Sequence, residues 1–166
     1  MKSQKVRSMQ KQELTIELVP STCWFSNVRS EVSRGIWDKI RRKAYRKANY
    51  LCEICGGKGE KWPVECHEIW KYIDKTHTQN LIGFIALCPS CHKVKHLVRT
   101  TAMGGFEEAC DHLKAVNNWD DSKIADYIQT VFKTYDDRSL HNWTIDISYI
   151  EEYLNNKMQL NLFIDD

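Results

Sequence analysis

Cys52-Glu53-Ile54-Cys55 and, after 32 intervening residues, Leu87-Cys88-Pro89-Ser90-Cys91-His92 are the stretches on which the reading of this chain turns. Each C-x-x-C pair can form a knuckle that points two thiolates at one ion, and two knuckles complete the tetrahedral set that zinc prefers. With all four positions filled by protein, an ion held by Cys52, Cys55, Cys88 and Cys91 is expected to be structural. The spacer is longer than the roughly 15–20 residues of short zinc ribbons, so a folded insert is expected between the knuckles. Cys23, Cys66 and Cys110 have no such spacing and read as buried thiols.

Within the insert, Gly56, Gly57 and Gly59 supply a tight turn after Cys55. Residues 64–70 and 81–87 read as two short strands, and 91–98 as a short helix. Before the first knuckle, Trp37, Ile40, Ala44 and Ala48 share one face of a helix expected over 35–49. Further upstream, Leu14, Ile16 and Leu18 alternate with polar residues as in a half-buried strand ending at Pro20, and 21–34 reads as a connection. Downstream, 106–116 has helical spacing, and Asp120 or Asp121 can cap a helix running to about Tyr135 that buries Ile124, Ile128, Val131, Phe132 and Tyr135. Trp143, Ile145 and Ile147 alternate as a last strand, followed by a short helix over 149–154. Trp62 and Trp70 are expected in the core. The expected organisation is a single α+β domain: a loose basic tail over 1–12, a strand and basic helix over 13–50, the zinc-stapled unit over 50–98, and a helical extension over 99–166.

The 166 residues suffice for one domain with its own core. No stretch has the length and apolarity of a membrane span, and the basic N-terminus lacks the apolar core of a secretory signal. Seven cysteines without such a signal point to a reducing, cytoplasmic setting in which metal binding is favoured over disulfides. The formal net charge of +2 divides into +8 over 1–50, +2 over 51–100 and −8 over 101–166. A polyanion-facing first third is expected, with an acidic last third that is either solvated or turned to a protein partner. Asp136-Asp137 and Glu151-Glu152 read as surface pairs.

The chemistry concentrates beside the cysteines. His67 and Glu68 sit on the first strand of the insert, His92 directly follows Cys91, and His96 lies one helical turn later. Two imidazoles on opposite elements can hold a second divalent ion, with a carboxylate beside them to activate water. On the preceding helix, Lys39, Arg41, Arg42, Lys43, Arg46 and Lys47, with Tyr45 among them, form a run suited to phosphates, and Lys93 and Lys95 add charge next to the histidines.

Taken together, Cys52-x2-Cys55, Glu65-Cys66-His67-Glu68-Ile69, Leu87-Cys88-x2-Cys91-His92 and Lys95-His96 resemble the zinc-bearing branch of the HNH endonucleases over about residues 50–98. The resemblance implies a ββα-metal fold and hydrolysis of DNA phosphodiesters with Mg²⁺ or a similar ion, with a strand-borne base. It implies His67 and His92 as ligands of that ion, His96 in support, and Glu68 where the family carries its base histidine. In the alternative register His67 is the base and Cys66 the ligand, which suits Mg²⁺ poorly. Gly83 stands where the family often has asparagine. If the Glu68 substitution means a lost base, the chain reads instead as a non-catalytic, zinc-stabilised DNA-binding module.

Overall fold

The computed structural model describes residues 12–155, so the tail read over 1–12 and the end of the extension, 156–166, lie outside the described residues apart from residue 12. A 3₁₀ turn, Ser21–Cys23, and helix α1, Val28–Glu31, interrupt the expected connection. The side chain of Asn27 caps α1, and Ser30 reciprocates on the Asn27 backbone. Then come α2 (Arg34–Lys47), β1 (Glu65–Ile73), β2 (Thr78–Leu87), α3 (Pro89–Lys95), α4 (Leu97–Ala102), α5 (Phe106–Asn117), α6 (Asp121–Ser139), β3 (Thr144–Asp146) and α7 (Tyr149–Asn155). The fold is α+β, and β1, β2 and α3 are the expected two strands and a helix. The helix expected over 91–98 starts earlier and breaks at His96, whose backbone leaves the helical region before α4 begins.

Strands β1 and β2 pair antiparallel, and β3 adds to β2 in parallel through Thr78–Thr144 to Asn80–Asp146. A bulge follows Ile69, with Gly83 opposite Ile69 and Leu81 opposite Trp70. β1 is an edge strand of the three-stranded sheet.

The sheet separates two cores. On one face Val28, Ile40, Ala44, Leu81, Phe84, Ile150 and Tyr153 gather α1, α2 and α7, with Cys66 and Trp70 packed against them. On the other, Ile85, Leu87, Val94, Leu97, Leu113 and Ile124 gather α3 to α6, with the cysteines and Ile69. The period-2 alternation of β1 sorts its side chains between these layers. Leu87 is fully buried and opens into the cysteine cluster. Leu87→Ala is expected to cost about 2–5 kcal/mol, the usual loss plus cavity for a buried leucine, read by chemical denaturation.

Several expectations need correction. The strand over 14–18 forms no ladder. Its period-2 burial is real, with Leu14 and Ile16 in the core, but its backbone is satisfied by other groups. Asn117 Oδ1 accepts from Leu14 N–H (2.9 Å) while its Nδ2 donates to Leu14 O, Tyr127 Oη accepts from Ile16 N–H (2.9 Å), and Lys95 O accepts from Glu17 N–H (3.1 Å). The segment is a strap over α3, α5 and α6. Of the residues expected to be buried on α6, only Ile124 is fully so; Asp120 does cap the helix, its side chain accepting from Lys123 N–H. Trp62, expected in the core, is 58% exposed, whereas Trp70 packs against the α2 layer. Cys23 is buried, but Cys66 and Cys110 are only partly so. Asp136, Asp137, Glu151 and Glu152 are exposed as expected. Among the described residues no helix is long and apolar enough to cross a membrane.

Candidate metal centre

The first knuckle is tied to β2 by the residue inside it. Glu53 N–H donates to Ala86 O (2.9 Å), and Glu53 Oε2 accepts from Ala86 N–H (2.8 Å). Gly56, at φ +74°, turns the chain so that its N–H returns to Cys52 O, and Cys52 N–H reaches Gly57 O. The second knuckle is the N-terminus of α3, with Cys88 as N-cap and Pro89 in its first turn. The loop between knuckle and strand passes close to it: a Cβ on Gly59 would lie 2.2 Å from Trp62 O and 2.7 Å from the Pro89 ring. The sulfurs of Cys52, Cys55, Cys88 and Cys91 stand within 4.8 Å of one another, with Cys55 and Cys88 at 3.6 Å. Four sulfurs bonded at about 2.3 Å to one tetrahedral ion stand roughly 3.8 Å apart, so the donor set is compatible with a structural metal such as zinc. The hydrogen bond between Cys52 and Cys91 lowers the Cys52 thiol and raises that of Cys91, so the two sulfurs titrate as one coupled pair.

His112, on α5, adds a partner that the C-x-x-C spacing could not reveal. Its Nε2 lies 3.2 Å from Cys91 Sγ, placed to donate to a metal-bound sulfur.

On the sheet face turned toward α3, His67, His92 and His96 form a second donor group, each offering a ring nitrogen within 4.8 Å of the others. Their rings meet edge to face, with centroids 4.7–5.4 Å apart. His96 is thus a full member of the cluster, where only a supporting role was expected. Burial, with the neighbouring charges of His92, His67 and Arg99, lowers the His96 imidazole to about 3, and burial also lowers His67. Both are therefore neutral at pH 7, the form in which imidazole ligates. Two carboxylates hold the rings from outside. His67 Nε2 pairs with Glu17 Oε2 (2.8 Å), and His92 Nδ1 with Glu65 Oε2 (2.5 Å). With those nitrogens acting as donors, the second nitrogen of each ring remains for an ion, as in carboxylate–histidine–metal arrangements. Glu65 lay inside the quoted motif, but Glu17 had no signal at all, since only the strap brings it to β1.

The structure does not bring Glu68 to this cluster. Strand alternation turns it to the opposite face, where its carboxylate accepts from Val28 N–H (2.9 Å) and Trp70 Nε1–H (3.2 Å). Lys95, expected to face nucleic acid, is 2% exposed, and its ammonium donates to Thr15 Oγ1 and Glu17 Oε1 (2.5 Å). Burial pushes the Glu17 carboxyl up, but the His67 hydrogen bond and the Lys95 charge outweigh it and bring the group to about 2. A folded-state value below the ordinary 4.5 gives stability that is complete above that pH and lost as pH falls toward 2. The stability gap between wild type and Glu17→Gln is therefore expected to be largest above pH 4.5 and to close between there and pH 2, measured by urea denaturation across that range. A gap that stays constant with pH would remove the ionic account.

The basic helix also needs repositioning. α2 packs on the face opposite the histidines. Lys39, Arg42, Lys43 and Arg46 line a cleft of about 810 Å³ against Leu154 and Asn155 of α7. Lys43 donates to Tyr153 O, Arg41 pairs with Asp38 (2.7 Å), and Lys47 is 3.9 Å from Glu53. Lys93 is exposed near Glu108 (3.1 Å), a surface pair too weak to withhold it from a phosphate.

Comparison with protein-family models, with curated proteins and with solved structures finds no match to this chain.

Proposed function

We propose that the chain is a metal-dependent nuclease of the HNH type, hydrolysing DNA phosphodiesters, with a zinc ion held separately by Cys52, Cys55, Cys88 and Cys91. The observation that carries this reading is the histidine group: three imidazoles from a strand and a helix, two pinned through their outer nitrogens by carboxylates, beside a four-cysteine clamp. Three imidazole donors suit a first-row transition dication better than the Mg²⁺ implied by the resemblance. Held there, such an ion would polarise a phosphodiester and stabilise the departing oxygen.

The chain's own residues do the rest. Glu17 and Lys95 hold His67 in one tautomer and orientation, and Glu65 does the same for His92. With Glu68 on the far face and both oxygens of Glu17 engaged by Lys95 and His67, Glu65 becomes the carboxylate for this role. One of its oxygens engages His92, and the other is the acceptor best placed for a proton from water. Phosphate contacts come from Lys93 and, farther along the strand, from the α2 stripe.

One observation favours a second reading, the non-catalytic DNA-binding module: both oxygens of Glu68 are engaged in structural hydrogen bonds. Supercoiled plasmid and labelled single and double strands, incubated with Mg²⁺, Mn²⁺, Co²⁺, Ni²⁺ or Zn²⁺, separate the two. Nicking or cutting is expected with at least one transition ion. Salt-dependent binding without any cleavage under every ion selects the binding module.

A further inference from the structure

The stretch between the α2 stripe and the histidine group has a feature of its own. Arg41, Tyr45, Tyr50, Trp62, Pro63 and Glu65 line a groove of about 380 Å³ between α2 and the start of β1, an edge strand of the sheet. Its aromatic surface is held out to solvent, not folded inward. Tyr50 is 51% exposed, on a left-handed backbone (φ +58°) that directly follows another left-handed residue, Asn49, and its N–H donates to Tyr45 O. The Trp62 loop is closed by Gly59 N–H donating to Pro63 O, and the close approach of Gly59 to Trp62 and Pro89 fixes it against the second knuckle. The Tyr45 and Tyr50 rings are 6.5 Å apart and tilted. Cations flank the aromatics, with Arg41 in the lining and the Lys61 ammonium 5.5 Å from the Trp62 ring centre.

The two ends of the groove indicate what it takes. At one end stands Arg41 of α2, followed directly by Arg42 and, farther along the helix, by Arg46. At the other stands Glu65, whose carboxylate holds His92. Since α2 and the histidines occupy opposite faces of the sheet, a chain of phosphates that follows the groove from Arg41 to Glu65 and touches both must turn past the start of β1. A stiff duplex turns poorly over so short a distance, whereas a single strand does so readily and leaves its bases unstacked. We propose that this groove is a nucleobase subsite, in which an unpaired base stacks on Trp62 and Tyr50, so that the preferred substrate is single-stranded or locally unpaired nucleic acid. A proline-rich peptide could also use an aromatic groove, but the flanking cations and the link to His92 favour a polyanion.

The inference rests on the nucleic-acid reading above, and binding assays free of cleavage separate the two. Fluorescein-labelled single-stranded DNA of mixed sequence, its duplex, and a proline-rich peptide are titrated against wild type, Trp62→Ala, Trp62→Phe and Tyr50→Ala, with no divalent ion added and with folding checked by thermal melting. The single strand is expected to bind more tightly than the duplex. Trp62→Ala and Tyr50→Ala should each weaken single-strand binding by roughly ten-fold, the loss of one stacked base. Trp62→Phe should restore most of that loss, and the dependence on salt should keep its slope because no phosphate contact is lost. Equal affinity for both forms, or unchanged binding in the alanine variants, overturns the subsite alone. Binding of the peptide in place of DNA, or of neither, overturns the nucleic-acid reading with it.

Discussion

Cys91→Ser is expected to leave the chain without its structural metal and without a cooperative thermal transition at ordinary temperature. Cys91 is fully buried, joins the core formed by Val94, Leu97 and Leu113, and sits 3.2 Å from His112. Structural zinc contributes on the order of 10–16 kcal/mol of apparent binding free energy in small zinc folds. That is as large as the whole stability of an ordinary domain, about 5–15 kcal/mol. Three remaining sulfurs and a hydroxyl hold the ion far less well, and both knuckles lose the point that joins them. Metal content by mass spectrometry together with near-ultraviolet circular dichroism reads the effect. A variant that melts cooperatively within a few degrees of wild type would show that the cysteine cluster is an ordinary part of the core. His112→Ala, which removes one hydrogen bond to sulfur but no ligand, should keep the metal and weaken its retention against a chelator by about 10- to 100-fold.

His92→Ala is expected to abolish cleavage, a loss of at least about 10³-fold, while the four-cysteine metal and the fold persist. His92 is partly exposed, at 23% of its side-chain surface, so its removal opens no sealed cavity. It takes away one of three ligands and releases Glu65. A 10³-fold loss corresponds to about 4 kcal/mol of transition-state stabilisation, within what a polarising ion supplies. His67→Ala should lose activity equally, but with a cost in stability of about 1–3 kcal/mol, because it leaves one oxygen of the half-buried Glu17 carboxylate without its partner. Glu68→Gln, by contrast, should leave cleavage nearly intact, since its carboxylate is on the other side of the sheet. If Glu68→Gln removes activity and His92→Ala does not, the assignment of the two faces to chemistry and to packing is the wrong way round. Single-turnover cleavage with the best ion measures all three.

The local features were legible because their signals are local. Two C-x-x-C spacings, a polar–apolar alternation over the insert, and i, i+3, i+4 patterns in the helices each depend on residues near in the chain. They located β1, β2, α2, α5 and α6 to within a few residues and placed the cysteine and histidine groups together. The reading of 14–18 failed in an instructive way. An extended segment buried on alternate residues has the same pattern whether a strand or a set of side chains satisfies its backbone, and only Asn117, Tyr127 and Lys95, distant in sequence, decide between them.

The motif around His67 illustrates the same division. Its letters permitted Glu68 as the base, but a strand turns neighbouring side chains to opposite faces, and once His67 faces α3 its neighbour cannot. The charge run on α2 likewise told how positive the helix is, not which face of the sheet it covers.

The sequence by itself determined the α+β class, the four-cysteine cluster and the proximity of His92 and His96, because knuckles and helical turns are short-range geometry. The tertiary structure alone decided that Glu17 and Glu65 orient the imidazoles, that Glu68 and Lys95 belong to packing, and that Trp62 and Tyr50 face solvent at a sheet edge. Those outcomes depend on which layer each side chain enters, and layers are set by contacts between segments that no spacing within one segment records.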